Sequence, residues 1–380
     1  MHSAESRDTI CEKRRNVSKR GIALIGKNNA AKLALALTSV IWGAGFVFSQ
    51  TALDAGFGPA GLLLVRFSVA AVLVGIIYRK TIRRSFSLAA FRRVFILGVI
   101  LAASFLAQTL GLMFSTPSNN ALITAAYVVI TPFLWRLVFK KKPTRSAYAA
   151  SVICFFGVVA LSFDFSAGFS FRAGDLWTLG CAVLFAAQIV ATEAYVGDGK
   201  AGVPAQGESR LDYGLLLFIE LFTAALTTAL LVLAARVAVA AFPGIYDTAA
   251  PLLVTRRDLD ALLSPSGAVS AAFLGVLSTA LCYVMQTSAQ RYVSSGAASI
   301  ILSMESMFGA VFSVLTGYDA LSFRLVLGGG LILASVTLQE IVNFTLASRS
   351  GSAVRGAEQH SRRRGYKFAA ALKINKTEEL

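Results

Sequence analysis

Ten apolar runs, each roughly 20 residues long and separated by short polar breaks, leave this chain few ways to fold. They lie at 32–53, 60–79, 93–114, 118–139, 146–164, 174–195, 213–236, 268–290, 295–317 and 323–344. A helix rises about 1.5 Å per residue, so each run can cross a hydrocarbon layer about 30 Å thick. In hydrocarbon every backbone N–H and C=O must be satisfied within the segment, which at this run length means a helix. The weakest run is 213–236, which Glu220 interrupts. Composition agrees: 56% of residues are hydrophobic, 15% are charged and the mean hydropathy is +0.67, whereas soluble domains carry nearer a quarter charged. The expected fold class is an all-α integral membrane protein with ten transmembrane helices.

The formal charge of +16 raises the question of nucleic acid, and its distribution answers it. With both termini on the cytoplasmic side, 30 of the 36 Lys and Arg fall in cytoplasmic tails and links, 5 fall outside and Arg66 lies within a span. This bias is the positive-inside pattern of an N-in, C-in chain in the cytoplasmic (cell) membrane. Without the tails it still stands at 14 to 5. The basic tails suit the anionic lipid of a bilayer surface. No aromatic interleaving or nucleic-acid-binding motif accompanies them, so no nucleic-acid partner is expected.

Cysteine and histidine remove further classes. Cys11 lies in the N-terminal tail, and Cys154, Cys181 and Cys282 lie inside spans without metal-ligand spacing; His2 and His360 are both in the tails. Metal sites and Ser-His or Cys-His catalysis are therefore not expected. Gly328-Gly329-Gly330 has no adjoining Lys-Ser/Thr and is not a phosphate loop. No cofactor is expected. The first 31 residues are polar and precede a full-length span, unlike a cleaved secretory signal.

The chain also repeats itself. "FILGVILAASFLAQTLGLMFSTPSNNA" (95–121) aligns without a gap over "AFLGVLSTALCYVMQTSAQRYVSSGAA" (272–298), setting Gly98 over Gly275 and Ser118 over Ser295. "ALITAAYV" (121–128) then falls over "SIILSMES" (299–306), Tyr127 over Glu305. "LLLVRFSVAA" (62–71) falls over "LLFIELFTAA" (216–225), Arg66 over Glu220, and "ALTSVIWGAGF" (36–46) more weakly over "WTLGCAVLFAA" (177–187). Five spans per half is an odd number, so the second half enters the membrane from the opposite side: two inverted five-helix repeats. The organisation read from these patterns is a basic cytoplasmic N-tail (1–31), repeat 1 (32–165), repeat 2 (174–344) and a basic cytoplasmic C-tail (345–380).

These residues resemble the drug/metabolite transporter superfamily, in its ten-helix EamA-like branch. The resemblance runs over about 33–344 and is carried by "IWGAGFV" (41–47), "LLVRFSVAA" (63–71), "SNNALITAAYVVITP" (118–132), "FLGVLSTALCYVMQTSAQRYVS" (273–294), "GAASIILSMES" (296–306) and "LGGGLILASV" (327–336). It implies two EamA-type repeats and movement of small metabolites, more often outward. One departure matters: where the family has proline after the ninth-span glutamate, this chain has Ser306, and the matching span-four position is Val128. The later span-four proline is retained as Pro132. The expectation of a local helix break beside Glu305 loses its support with that proline.

Several polar residues sit deep in the runs. Glu305 lies 14 positions from Arg291 and from Asp319, and Arg66 lies 12 after Asp54 and 13 before Arg79, so both belong near the bilayer midplane. Charges there cost at least a few kcal/mol unless paired, hydrated or neutralised. The two can share a polar network at a central cavity or form a fixed ion pair. Glu220 is a candidate for a coupling proton, or a hydrated interfacial carboxylate. Trp42 lines the cavity or only packs. Asn119 and Asn120 cap span four or face the cavity, and Gln108, Tyr127, Tyr283 and Gln286 are uncharged hydrogen-bonding candidates. This lining suits zwitterionic or neutral solutes. Residues 196–212 read as a flexible cytoplasmic linker, and 237–267 as an interfacial helix or a partial lid.

The expected function is secondary transport of small metabolites, with export of amino-acid-like or other small organic solutes by alternating access, as a monomer or homodimer, and protons as the coupling ion. The alternatives are a membrane-embedded enzyme, which would need a clustered catalytic constellation that the spans lack, and a noncatalytic membrane scaffold.

Overall fold

The computed structural model describes residues 2–140, 145–164, 168–169, 173–196, 211–335, 337–338 and 341–342. Of the linker read at 196–212, residues 197–210 lie outside the described residues, as does the C-tail 345–380. Helix begins at His2, although the side chains of 2–26 are outside the description. Met1–Val336 forms one compact unit; of Thr337–Leu380 only four residues are described, all helical.

Eight helices are long and apolar enough to cross a membrane. They are Lys27–Asp54 (span one), Pro59–Ile77 (two), Leu88–Met113 (three), Pro117–Phe139 (four), Ala173–Val196 (six), Tyr213–Ala241 (seven), Pro265–Ala289 (eight) and Ser295–Leu315 (nine). Two shorter apolar helices occupy the other expected places: Tyr148–Gly157, within the helix Arg145–Ser162 (span five), and Phe323–Ser335 (span ten). A two-residue ladder, Phe163–Asp164 against Gly168–Phe169, is the only sheet among the described residues. Large apolar side chains such as Leu33, Val72, Ile76, Leu137 and Phe155 are exposed, while Arg66, Gln188, Glu193 and Glu220 are buried. This is the distribution a hydrocarbon solvent selects, with charges turned to the bundle interior.

Packing follows the sequence repeat. Span one packs on eight and nine, as span six packs on three and four; span two packs on eight, as seven packs on three. Spans two and seven, and four and nine, pack on each other. Exchanging the halves therefore maps each contact onto another. The aligned glycines show the same exchange at atomic scale. A Cβ at Gly98 would stand 2.5 Å from the Glu220 carbonyl oxygen, and one at Gly275 would stand 3.0 Å from Val69 Cβ. Small residues let helix backbones approach where apolar lipid gives no other drive to associate. Span one meets span nine likewise at Gly43, whose added Cβ would lie 2.4 Å from Phe308 Cβ.

Spans four and nine are each broken in mid-course. Span four stops at Thr124 and resumes at Tyr127, with Ala125 and Ala126 at ψ −12° and −15°. Span nine stops at Leu302 and resumes at Met304, with Ser303 at ψ −13°. Both breaks are tight turns with bonds three residues apart, Val128 N–H to Ala125 and Ser306 N–H to Ser303, a 3₁₀ geometry inside an α-helix. The break beside Glu305 thus exists without the proline, correcting the sequence expectation. Serine hydroxyls supply the means: Ser303 Oγ donates to Ile300 O and Ser306 Oγ to Ser303 O, both at 2.7 Å. Such back-bonding competes with the helix ladder and bends it.

The N-termini of these two spans are held by carboxylates from other segments. Ser118 N–H donates to Asp319 Oδ2 at 3.1 Å, and its repeat counterpart Ser295 N–H donates to Glu193 Oε2 at 2.8 Å. Anions are favoured at helix N-termini by the unpaired N–H groups there. The segment 237–267 is also ordered. After span seven it forms short turns, the helix Arg256–Leu263, and then span eight. Asp258, 5% exposed, accepts from Thr255 N–H (2.7 Å) and from Gly58 N–H (2.8 Å), tying this helix to the start of span two.

Gly98→Ala is expected to cost about 1–3 kcal/mol by overpacking spans three and seven. Gly330→Ala, where an added Cβ meets nothing within 4 Å, is expected to be neutral. Thermal unfolding in detergent reads both.

Candidate functional site

A cavity opens among spans one, two, three, four, six, eight and nine. Its aromatic wall is Trp42, Phe46, Phe105, Tyr127 and Phe185; its polar lining is Ser49, Arg66, Gln108, Thr109, Gln188, Ser278 and Glu305. The mixed aromatic and polar lining suits a small organic molecule.

Arg66 enters from the middle of span two and is 4% exposed. Its Nε donates to Thr279 Oγ1 at 2.5 Å and its Nη2 to Ser278 Oγ at 3.0 Å. The guanidinium carbon stands 4.0 Å from the centre of the Phe105 ring, a cation–π contact strengthened by desolvation. Both hydroxyls come from one stretch of span eight, Phe273–Leu281, that is wound as a π-helix. Thr279 Oγ1 donates in turn to Leu274 O, five residues back, at 2.8 Å. The carbonyl of Ser278 accepts Trp42 Nε1–H at 2.7 Å. A π-turn widens the helix and redirects side chains, and such turns recur at functional sites. Here it presents two hydroxyls to one guanidinium and a carbonyl to one indole.

Glu305 follows the break in span nine by two residues and Tyr127 follows the break in span four directly, so the two breaks aim counterpart side chains into one cavity. Glu305 is 5% exposed, and the Tyr127 hydroxyl lies within electrostatic range of it without making a hydrogen bond of ordinary geometry. Arg66 and Glu305 share the cavity wall, yet no ion pair joins them: the arginine's bonds go to span eight. Opposite charges are thus displayed separately, each with a face toward the cavity.

The other residues singled out in the sequence divide into two groups. Trp42 and Gln108 line the cavity. Tyr283 and Gln286 are buried behind it, with the Tyr283 ring 5.6 Å from Trp42 and 6.3 Å from Phe105. Glu220, fully buried, accepts from Gln188 Nε2 at 2.8 Å and reaches the cavity only through that amide. Asn120 is absorbed in packing, its Nδ2 donating to Gln108 O (3.1 Å) and Thr178 Oγ1 (2.9 Å). Asn119 is part-buried at the start of span four, its N–H capped by Thr116 Oγ1. Neither asparagine lines the cavity. Sequence reading missed Gln188, Ser278, Thr279 and Phe105. Gln188 carried a usable signal, a lone amide deep in "FAAQIVA". Ser278 and Thr279 carried none, because hydroxyls in spans usually bond their own helix.

A bundle of two matched halves around a central, charge-bearing cavity defines a multi-pass membrane transporter. The EamA-like transporter family matches residues 30–163 and 213–339, and the chain belongs to that family. A curated relative, an uncharacterized transporter of Archaeoglobus fulgidus, is 27% identical over 335 residues, covering 87% of this chain and 93% of its own length. A solved crystal structure of a protein superposes with a TM-score of 0.57 at 16% identity, over 84% of this chain and 99% of that one; it shows the fold. Family and relative alike indicate a transporter rather than an enzyme.

Thr279→Val removes one acceptor from a buried guanidinium and is expected to cost about 1–3 kcal/mol of stability. Val276→Leu, at an exposed position of the same stretch, leaves the arginine's bonds in place and is expected to cost less. Unfolding in detergent compares them.

Proposed function

We propose that the protein is a secondary carrier that exports small, amino-acid-like or other organic solutes across the cell membrane by alternating access. The observation that carries this reading is the separate display of Arg66 and Glu305 on one cavity wall. A zwitterion offers a carboxylate to a guanidinium and an ammonium to a carboxylate, and the aromatic faces of Trp42, Phe105 and Phe185 suit an apolar remainder. With one arginine and one glutamate in the lining, the cavity is balanced in charge and poorly suited to phosphorylated solutes.

The mechanism rests on the two halves, 32–165 and 174–344, being inverted repeats. The odd number of spans per half and the exchange of contacts between halves support that arrangement. Spans four and nine, each broken beside a cavity residue and each tied at its N-terminus by a carboxylate, are the elements that bend as one side closes and the other opens. The charge bias supports N-in and C-in termini in a monomer or homodimer.

In proteoliposomes loaded with unlabelled neutral amino acids, the chain is expected to take up ¹⁴C-labelled ones by counterflow and return them chemically unchanged. Arg66→Ala and Glu305→Ala are expected to cut the rate about tenfold or more, the loss of one charge-assisted contact of about 1.5–3 kcal/mol. Asn119→Ala is expected to leave it intact. Counterflow unaffected by either charge removal would reject the site. For topology, Cys154, Cys181 and Cys282 are buried, so a membrane-impermeant maleimide on intact cells is expected to label nothing until permeabilisation exposes Cys11.

A further inference from the structure

Among the described residues, Glu220 is the one carboxylate deep in the bundle that neither lines the cavity nor caps a helix. Its Oε1 accepts from Gln188 Nε2 at 2.8 Å, while its Oε2 is buried and without a partner among the described residues. Among the described residues no cation compensates it. From span eight Tyr283 lies within electrostatic range of it. From span three Gly98 packs on the backbone carbonyl of Glu220 and brings no charge. Arg66, on span two, is committed to Ser278, Thr279 and Phe105. From span six come Gln188 and, further along, Glu193, whose Oε2 is taken by Ser295 N–H. An ionised carboxylate in such a place needs a neutralising partner. A proton on Oε2 would neutralise the charge.

The connection to the cavity runs through one amide. Gln188 lines the cavity, and both ends of its side chain are held: Nε2 by Glu220 and by Thr192 Oγ1 at 3.1 Å, Oε1 by Gln286 Nε2 at 3.2 Å. Gln286 extends the chain to Gln290 at 3.3 Å, and Gln290 anchors it on the carbonyl of Ile189 at 2.8 Å. A hydrogen bond to an ionised acceptor is about twice as strong as one to a neutral acceptor. The charge on Glu220 therefore decides how firmly Gln188 is oriented at the cavity wall.

We propose that Glu220 carries the coupling proton and that Gln188 transmits its charge state to the cavity, so that proton and solute exclude each other. With Glu220 ionised, Gln188 is fixed and the cavity binds solute. A proton arriving at Oε2 from outside weakens the Nε2–Oε1 bond, frees the amide and lowers solute affinity. By linkage, solute release outside favours proton uptake by the same factor. Discharge of the proton to the cytoplasm restores the binding form, and each turn exchanges one proton inward for one solute outward. This mechanism rests on the carrier reading above; the proton site itself does not.

Two measurements on the full chain in liposomes test it. The first needs no solute: infrared difference spectra between acidic and alkaline pH are expected to show one carboxyl band together with a glutamine amide band. Glu220→Gln should remove the carboxyl band, and Gln188→Leu the amide band. The second uses the ¹⁴C-labelled neutral amino acids. Wild-type counterflow should slow as pH falls, and an outside-acid gradient should drive efflux. Glu220→Gln, neutral at every pH, should hold counterflow at the slow acid-pH rate throughout and lose both pH effects, and Glu220→Asp should retain them. A carboxyl band unchanged in Glu220→Gln, or pH-driven efflux that survives that substitution, overturns the proposal, as does efflux driven by a sodium gradient instead. If wild-type protein moves no amino acid while the infrared band pair persists, the carrier reading fails on these solutes and the proton site stands.

Discussion

Arg66 brings a full positive charge to the middle of the bundle, and much of the central architecture follows from how that charge is held. Charged groups inside a membrane usually find an opposite charge. Here the guanidinium instead takes two hydroxyls from span eight and the face of Phe105. An α-helix would use those hydroxyls on its own carbonyls. The π-wound stretch Phe273–Leu281 shifts the register, so that Thr279 bonds five residues back and still accepts from Arg66. Because the arginine is satisfied without Glu305, the carboxylate keeps its face to the cavity. The two charges thus stand apart on one cavity wall.

The same bilayer constraint explains where the backbone is allowed to break. Broken helices survive at membrane depth only where they are buried in protein or line a cavity. Spans four and nine break at 125–126 and at 303, beside Tyr127 and Glu305, and both residues face the cavity. The two breaks are made by different means: alanines in a tight turn upstream of Pro132 in one half, serine hydroxyls in the other. Repeats that have diverged in sequence keep the backbone feature, because the cavity needs a counterpart side chain at each break.

Behind the wall, the chain Glu220–Gln188–Gln286–Gln290 joins spans six, seven and eight by side-chain amides alone. A buried network of this kind is high-stakes, since each unsatisfied member costs free energy. Two of its oxygens, Glu220 Oε2 and Gln286 Oε1, are unsatisfied among the described residues, which is the pattern expected where a proton or a changed side-chain orientation completes the bonding in another state.

Eight membrane-length helices with two shorter apolar ones, the two-repeat organisation and the grouping of Arg66, Glu305, Trp42, Gln108 and Tyr127 around one cavity accord with what the sequence shows. Each depends on period, length or spacing, which hydrocarbon enforces along a chain. The break beside Glu305 was not legible, because a serine can bond its own backbone or leave it alone, and neighbouring packing chooses. The partner of Arg66 was not legible either. Depth along the membrane normal can be counted from residue number, but rotation about each helix axis cannot. Only tertiary packing turned Ser278 and Thr279 to Arg66, left Glu305 to the cavity, withdrew Asn119 and Asn120 from it and placed Gln188 between Glu220 and the site.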